Sequence, residues 1–183
     1  ADLIENRSRT TFVVTPIMVE KTLYYCTPYN RVFALDPETG SERWMFDPKV
    51  DMSEEGLTNC RGVSSWIDKD PEQKTCKHRI FLGTLDGRII SIDGKTGERC
   101  TSFGTNGEVD LSEGLTKHEP GEYTITSAPA IIGDLVISGA MVADSLRLDV
   151  PAGVVRAYNV RTGDFVWGWN PTHPEKSQFD EMG

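Results

Sequence analysis

The sequence has no long apolar run, no surplus of basic residues and no clear hydrophobic repeat of 3.6 residues. The first absence excludes a membrane-spanning helix within these 183 residues. A net charge of −9 and a pI of about 4.8 argue against the clustered basic surface that nucleic-acid phosphates require, so we expect no nucleic-acid partner. The first residues lack the charged-then-apolar pattern of a signal peptide, so a signal either lies outside this stretch or does not exist.

Cysteine is scarce, and no two cysteines form a C-x-x-C pair, which argues against a zinc site. An even count permits two disulfides in three alternative pairings, and the sequence does not choose among them. Buried free thiols are the other alternative, whereas an oxidising compartment would favour at least one bridge. The four cysteines are Cys26, Cys60, Cys76 and Cys100.

What the sequence does contain is a short polar turn that occurs three times, at residues 36–40, 93–97 and 159–163. Each copy begins with Asp or Asn, whose side chain can bond the backbone two residues on. Each copy ends with Gly, which adopts a positive φ without a Cβ clash. A single copy would predict a hairpin, but three copies predict a repeat architecture.

Around each turn the same order of four short strands can be traced, with turn signals between them. Four antiparallel strands that recur at this period predict the blades of an all-β propeller. We expect residues 1–183 to form a single partial β-propeller domain of about three blades. The predicted blades cover approximately residues 11–47, 60–104 and 124–170, and the fourth strand of the second blade is predicted at residues 98–103.

Two tryptophans, Trp44 and Trp167, follow their turn glycines by the same four residues. A large, flat indole ring at this position is expected to pack between adjacent blades rather than to contact a ligand.

The long connections predict a working face. In up-and-down blades, the connections at residues 47–60, 104–124 and 141–152 fall on one face, and long loops on a rigid scaffold often carry function. Val13, Arg61 and Thr126 occupy equivalent starts of the innermost strands, facing the central axis. A guanidinium such as that of Arg61 needs an anionic partner when it is desolvated. The alternative role for Arg61 is a structural salt bridge to one of the acidic residues.

Other candidates lie near the third blade. Asp144 could ligate a hard cation such as calcium, and the small residues Gly139 and Ala140 would let a flat ligand approach the backbone. The sequence shows no nucleophile–base arrangement. The three histidines are therefore expected at the surface, and the acidic residues between 110 and 122 are expected to be solvated. The histidines are His78, His118 and His173.

Several stretches resemble the pyrroloquinoline-quinone (PQQ) dehydrogenases, most closely the membrane-bound glucose/quinate/shikimate branch. The similarity covers essentially the whole chain, and its most specific part is Cys-Arg-Gly-Val-Ser at residues 60–64. The repeated turn with its Trp resembles the tryptophan-docking motif of that family. The remaining matching stretches are residues 14–17, 22–27, 32–36, 86–88 and 153–156.

This resemblance implies an eight-bladed propeller, of which three blades are an N-terminal fragment of a periplasmic domain at the inner membrane. The parent enzyme would use PQQ and calcium to oxidise a sugar or cyclic polyol (glucose, quinate or shikimate) and pass electrons to membrane quinone. By resemblance, Arg61 would contact the oxygens of the quinone cofactor, and Thr126 would lie beside it. Gly139 and Ala140 would also adjoin the cofactor, and Asp144 would be a calcium ligand.

The sequence departs from the family in ways that limit these expectations. Val13 stands where the family commonly has glutamate, and no adjacent cysteine pair is present, which fits the sugar/polyol branch better than the alcohol dehydrogenases. The family's catalytic aspartate and a cofactor-contacting lysine come from later blades, so we assign no catalytic residue here. We expect the chain alone to be inactive and to bind no cofactor.

One alternative function and one possible partner remain open from the sequence. The chain could be a non-enzymatic propeller that serves as a protein-interaction scaffold, as outer-membrane assembly propellers do. Open blade edges would also invite pairing with another copy, which predicts a homo-oligomer.

Overall fold

A computed structural model describes residues 10–50, 58–115, 119, 121–143, 151–171 and 173. These residues form three four-stranded antiparallel sheets, each with its strands in a simple up-and-down order, and one two-stranded sheet. Within the described ranges, no helix is long and apolar enough to cross a membrane. The strands are β1 (Ile17–Val19), β2 (Thr22–Cys26), β3 (Val32–Leu35), β4 (Glu42–Phe46), β5 (Ser64–Ile67), β6 (His78–Gly83), β7 (Arg88–Asp93), β8 (Glu108–Asp110), β9 (Tyr123–Thr124), β10 (Ala130–Ile132), β11 (Leu135–Ser138), β12 (Met141–Val142), β13 (Val155–Asn159) and β14 (Phe165–Trp169).

The all-β fold predicted from the repeat is confirmed by these sheets. Blade 1 consists of β1–β4, blade 2 of β5–β8, and blade 3 of β10, β11, β13 and β14. The repeated turn joins β3 to β4 and β13 to β14, and in both places the register shifts by a β-bulge next to the turn.

The three turns share one set of hydrogen bonds. The side-chain oxygens of Asp36, Asp93 and Asn159 each accept backbone N–H groups two and three residues on, at 2.8–3.2 Å. Gly40, Gly97 and Gly163 close the turns with φ of 70°, 78° and 76°. The residue types of the repeat therefore fold locally as their chemistry predicts.

The fourth strand of blade 2 is not where the sequence predicts it. Residues 98–103 make only an isolated bridge, between Ile92 and Arg99, and the edge strand is Glu108–Asp110. The chain turns after Cys100, where the Phe103 N–H donates to the Cys100 carbonyl at 2.9 Å. Phe103 is then buried against the Phe81 ring. Packing of Phe103 and the cross-link at Cys100 outweigh the alternating pattern at this position.

Two apolar layers lie between the blades. The first contains side chains of blades 1 and 2, and the second contains side chains of blades 2 and 3. Blade 2 is buried on both faces because successive residues of β7 point to opposite layers, with Ile90 and Ile92 in the first and Ile89 in the second.

Trp44 lies between blades 1 and 2, as predicted. Its indole Nε1 donates to the Gly94 carbonyl at 3.0 Å, and the Tyr24 hydroxyl donates to the same oxygen at 2.9 Å. The ring also covers Gly97, where an added Cβ would lie 2.8 Å from the indole. The turn of one blade thus receives the tryptophan of the blade before it.

The cysteines form two disulfides, Cys26–Cys60 and Cys76–Cys100, and none is free. This selects one of the three pairings that the sequence left open. The first bridge joins the end of β2 to the segment before β5, and therefore links blade 1 to blade 2. The second lies within blade 2, and both bridges are buried.

Candidate functional site

The chain segments that precede the first strand of each blade run side by side. Val13, Arg61 and Thr126 lie the same number of residues before the strand-end residues Val19, Ile67 and Ile132. This places them at equivalent positions, as the sequence alignment of the blades predicts.

Backbone hydrogen bonds hold the central segment between its neighbours. The Arg61 N–H donates to the Thr126 carbonyl at 2.9 Å, and the Arg61 carbonyl accepts from the Thr15 N–H at 2.8 Å. The Cys26–Cys60 disulfide adds a covalent link one residue before Arg61. Two backbone hydrogen bonds and a disulfide at the preceding residue therefore hold the backbone at Arg61 in place.

The Arg61 side chain has little of its hydrogen-bonding capacity used. Its Nη1 donates to the Thr126 hydroxyl at 2.5 Å, and Thr126 is buried whereas Arg61 is exposed. No carboxylate of the described residues forms an ion pair with this guanidinium. The structural salt bridge considered from the sequence is thus absent from the described ranges. A guanidinium offers five N–H donors, and among the described residues the Thr126 hydroxyl accepts from only one of its nitrogens.

Strand pairing brings Gly139 and Ala140 toward the chain segment that contains Thr126. They connect β11 to β12, and β12 pairs with β9, so that Met141 lies opposite Thr124. The Ala143 N–H extends this pairing by donating to the Glu122 carbonyl at 2.9 Å. Thr126 follows Thr124 by two residues, so the pairing brings the chain around Gly139 alongside it.

Gly139 leaves one side of the backbone open. It is exposed, and among the described residues an added Cβ would meet only Val155, at an ordinary contact distance of 3.7 Å. The small size of glycine would let a ligand approach the backbone here.

Asp144 lies outside the described residues, so its predicted metal role stays a prediction. Within the described ranges, no group of three or more His, Cys, Asp or Glu side chains is placed to hold a metal ion.

Some polar groups near Arg61 and Thr126 were not identified from the sequence. Thr58 Oγ1, Asn59 Oδ1 and Thr124 Oγ1 are buried and have no hydrogen-bond partner among the described residues. They flank Arg61 and Thr126 along the chain. Leaving a buried oxygen without a partner is costly, so these are positions that water or a ligand could satisfy. Threonine and asparagine in strand-like segments carry no spacing signal that would have revealed them.

One histidine differs from its expected role, and one buried arginine was not singled out from the sequence. His78 is buried rather than at the surface, with its Nε2 2.8 Å from the Ser65 hydroxyl, and burial lowers its pKa. Gly94 leaves space for this imidazole, since an added Cβ would lie 2.5 Å from Nδ1. Arg156 is fully buried and donates to the Leu111 carbonyl and, at 3.3 Å, to the Tyr123 hydroxyl. It therefore fixes both ends of the long connection between blades 2 and 3.

Comparisons with known proteins identify the family of this chain. The chain matches the family "PQQ: Glucose/ethanol/alcohol dehydrogenase, beta-propeller domain" over residues 2–182. It is 34% identical over 179 residues to the quinate/shikimate dehydrogenase (quinone) of Acinetobacter baylyi, with 88% of this chain and 22% of the relative covered. It is 37% identical over 172 residues to quinoprotein glucose dehydrogenase A of Acinetobacter calcoaceticus, covering 86% of this chain and 21% of the relative.

Among solved structures, the quinohemoprotein alcohol dehydrogenase from Comamonas testosteroni is similar, with a TM-score of 0.70 and 28% identity. That match covers 88% of this chain and 21% of the dehydrogenase. The chain belongs to the PQQ-dependent dehydrogenase β-propeller family. It spans about a fifth of the length of the curated relatives it matches.

Proposed function

We propose that this chain is part of a PQQ-dependent dehydrogenase and forms one side of its cofactor pocket. The observation that supports this most directly is the Arg61 guanidinium, which is held by Thr126 and has no carboxylate partner among the described residues. A cation fixed at the ends of the innermost strands suits an anionic, planar cofactor.

The residues present fit PQQ. Arg61 would hold the oxygens of the quinone, and Thr126 would orient that guanidinium. The exposed backbone at Gly139 and the half-buried Ala140 beside it would adjoin the flat ring system, and Asp144 would be a calcium ligand. When bound, PQQ accepts the electrons of the substrate alcohol, and calcium acts as a Lewis acid. The contribution of this chain is orientation and a positive charge beside the cofactor oxygens.

The substrate we propose is a sugar or cyclic polyol of the glucose, quinate or shikimate type. The quinate/shikimate and glucose dehydrogenases among the relatives support this class. We further propose that the parent protein works at the periplasmic face of the inner membrane and reduces membrane quinone. Two disulfides suit an oxidising compartment of this kind.

We propose that the chain by itself is inactive. It offers no residue that we can assign as the catalytic base, and three blades enclose only part of a central pocket. The blade division into residues 11–47, 60–104 and 124–170 is part of this proposal, with the second blade extended to include the edge strand Glu108–Asp110. Calorimetry with PQQ and calcium should then show no micromolar site on the isolated chain.

A chimera tests the proposed function. In the Acinetobacter baylyi quinate/shikimate dehydrogenase, the matching segment would be replaced by this chain, and PQQ-dependent dye reduction would be measured. We expect the chimera to be active and Arg61→Ala to reduce kcat/KM by about 100-fold or more, as for the loss of a charged group that contacts the reacting centre.

The matched control is Arg99→Ala in the same chimera. Arg99 is a half-buried arginine that pairs with Glu108 at the outer edge of blade 2. Its loss should leave kcat/KM within a few-fold of the parent chimera. Equal losses for Arg61→Ala and Arg99→Ala, or a folded chimera that fails to bind PQQ, would contradict the proposal.

A further inference from the structure

The segment that carries Arg61 is buried everywhere except at Arg61 itself. Residues 58–60 and 62–63 are buried, whereas Arg61 is exposed. We call residues 58–63 the Arg61 segment. It precedes β5, which begins at Ser64, so it lies outside the four-stranded sheet of blade 2. Contacts with neighbouring segments therefore set its position, and they are close: a Cβ added at Gly62 would lie 3.2 Å from the Thr15 carbonyl oxygen.

Two buried oxygens oppose this placement. Thr58 Oγ1 and Asn59 Oδ1 are enclosed and have no hydrogen-bond partner among the described residues. An oxygen that is kept from water without a partner costs free energy, and an outward movement of the segment would let water satisfy both groups. The residues immediately before Arg61 are therefore stabilised by moving away from the interior unless another contact holds them there.

The Cys26–Cys60 disulfide is the contact that holds them. Cys60 lies between Asn59 and Arg61 in the chain and is 3% exposed. Its partner Cys26 is fully buried and is the last residue of β2, where it pairs with Val32 of β3. Since β2 is an inner strand of its sheet, the bridge attaches the Arg61 segment to a well-ordered part of blade 1.

The position of the Arg61 side chain depends on this attachment. Its backbone N–H and its guanidinium both donate to Thr126, the first to the carbonyl at 2.9 Å and the second to the hydroxyl. Bonds of this kind can be exchanged for bonds to water, whereas a disulfide cannot. A displacement of Cys60 would therefore move the guanidinium away from Thr126.

We propose that the Cys26–Cys60 disulfide positions Arg61 for the cofactor, in addition to stabilising the fold. This inference rests on the proposed function, in which the Arg61 guanidinium binds the oxygens of PQQ. Both cysteines are buried, so the bridge acts through Arg61. Without it, the segment relaxes toward solvent and the guanidinium occupies its binding position for a fraction of the time. The apparent dissociation constant of PQQ rises in inverse proportion to that fraction.

The second disulfide, Cys76–Cys100, provides a matched control. It is also buried, and it joins residues 24 positions apart, compared with 34 for Cys26–Cys60, so its loss should destabilise the fold to a similar extent. Register pairs Ile67, the last residue of β5, with His78, so Cys76 lies at the end of β5 opposite to Arg61. Its removal should therefore leave Arg61 in place.

The test uses the chimera described above, without PQQ and with calcium in excess, and measures the dissociation constant of added PQQ by equilibrium dialysis. We expect Cys26→Ala with Cys60→Ala to raise this constant about tenfold, which corresponds to correct placement of Arg61 for about a tenth of the time. Cys76→Ala with Cys100→Ala should change it by less than about twofold. Circular dichroism of each variant must match the parent chimera. Should the alanine pair not fold, valine at both positions keeps most of the buried volume and allows the same comparison.

A double-mutant cycle shows whether the bridge acts through Arg61. Arg61→Ala alone should weaken PQQ binding, and loss of Cys26–Cys60 in that background should add less than about twofold. An undiminished effect of the bridge in that background, equal weakening by both disulfide variants, or no weakening on loss of Cys26–Cys60 would each overturn the positioning role while the proposed function stands. PQQ binding that does not respond to Arg61→Ala would overturn both.

Discussion

The guanidinium of Arg161 in blade 3 donates two hydrogen bonds to the carboxylate of Asp68 in blade 2, at 2.8 and 3.0 Å. The same guanidinium lies 4.6 Å from the centre of the Trp66 ring and bonds Asp134 at 2.8 Å. The hydrogen bonds from Arg161 lower the pKa of Asp68 to about 2. Blades 2 and 3 are therefore joined by charge at their turn-bearing ends as well as by apolar packing.

This ion pair gives stability a dependence on acid pH. A carboxylate whose pKa is lower in the folded than in the unfolded chain stabilises above its unfolded pKa, here near 3.8, and that contribution disappears as the pH falls toward 2. Asp68→Asn should lower the free energy of unfolding by about 1 kcal/mol at pH 7, after allowing for screening at the half-exposed Arg161. Urea unfolding followed by tryptophan fluorescence would measure this.

The difference between Asp68→Asn and the parent should shrink between pH 4 and pH 2. Asp70→Asn serves as the control, because the Asp70 carboxylate accepts a local backbone N–H from Glu72. A difference that is independent of pH would show that the Arg161–Asp68 pair is not what stabilises this interface.

Gly97 and Gly40 provide a matched pair of substitutions. Both have a left-handed φ, so alanine at either position costs about 1 kcal/mol of backbone strain. At Gly97 the added methyl also collides with the Trp44 indole, so Gly97→Ala should destabilise by a further 1–3 kcal/mol, roughly the cost of overpacking. Chemical unfolding of both variants and the parent chain would compare the two losses of stability. Equal losses would place Trp44 elsewhere than over the turn.

The disulfides should be detectable and stabilising. Thiol titration of the denatured, unreduced chain should find no free thiol, since all four cysteines are paired. Replacing Cys26 and Cys60 together by alanine should cost about 3 kcal/mol, because the bridge closes a loop of 34 residues in the unfolded chain. Thermal unfolding would measure the loss. Four titratable thiols in freshly purified protein would contradict the pairing.

Three tyrosines should resist alkaline titration. Burial raises the pKa of Tyr158 to about 12, and it also raises the pKa values of Tyr24 and Tyr123. A folded-state pKa above the unfolded value near 10 gives stability that is present below pH 10 and lost as the pH rises further. Absorbance near 295 nm should therefore show these phenols ionising only as the chain unfolds. Tyr158→Phe should therefore keep the chain folded to a higher pH than the parent. Phenols that ionise near pH 10 while the chain is still folded would contradict this prediction.

Much of the fold could be predicted because it depends on interactions between residues that are close together in the chain. An Asp or Asn that caps its own turn and a Gly with positive φ act within five residues, so residues 36–40, 93–97 and 159–163 fold as expected. The prediction fails where distant contacts compete. Residues 98–103 alternate like a strand, but the Cys76–Cys100 bridge and the burial of Phe103 move the edge strand to Glu108–Asp110.

The candidate site divides in the same way. Arg61 and Thr126 could be singled out because the repeat aligns them, and the aligned positions turn out to be hydrogen-bonded to each other. His78 could not be placed, since its burial depends on Gly94, which lies in the next turn and leaves room for the imidazole. The buried oxygens of Thr58, Asn59 and Thr124 could not be found either, because no spacing distinguishes them from other strand residues.

The sequence by itself determined the turns, the four-strand repeat and the family resemblance, since each depends on residues close together in the chain. Only the tertiary structure decided the cysteine pairing, the contact of Arg61 with Thr126, and which tryptophans are covered. Those depend on which segments are brought side by side when the blades pack. Gly97 and Gly40 have the same turn chemistry, and among the described residues they differ in that the Trp44 indole lies over Gly97.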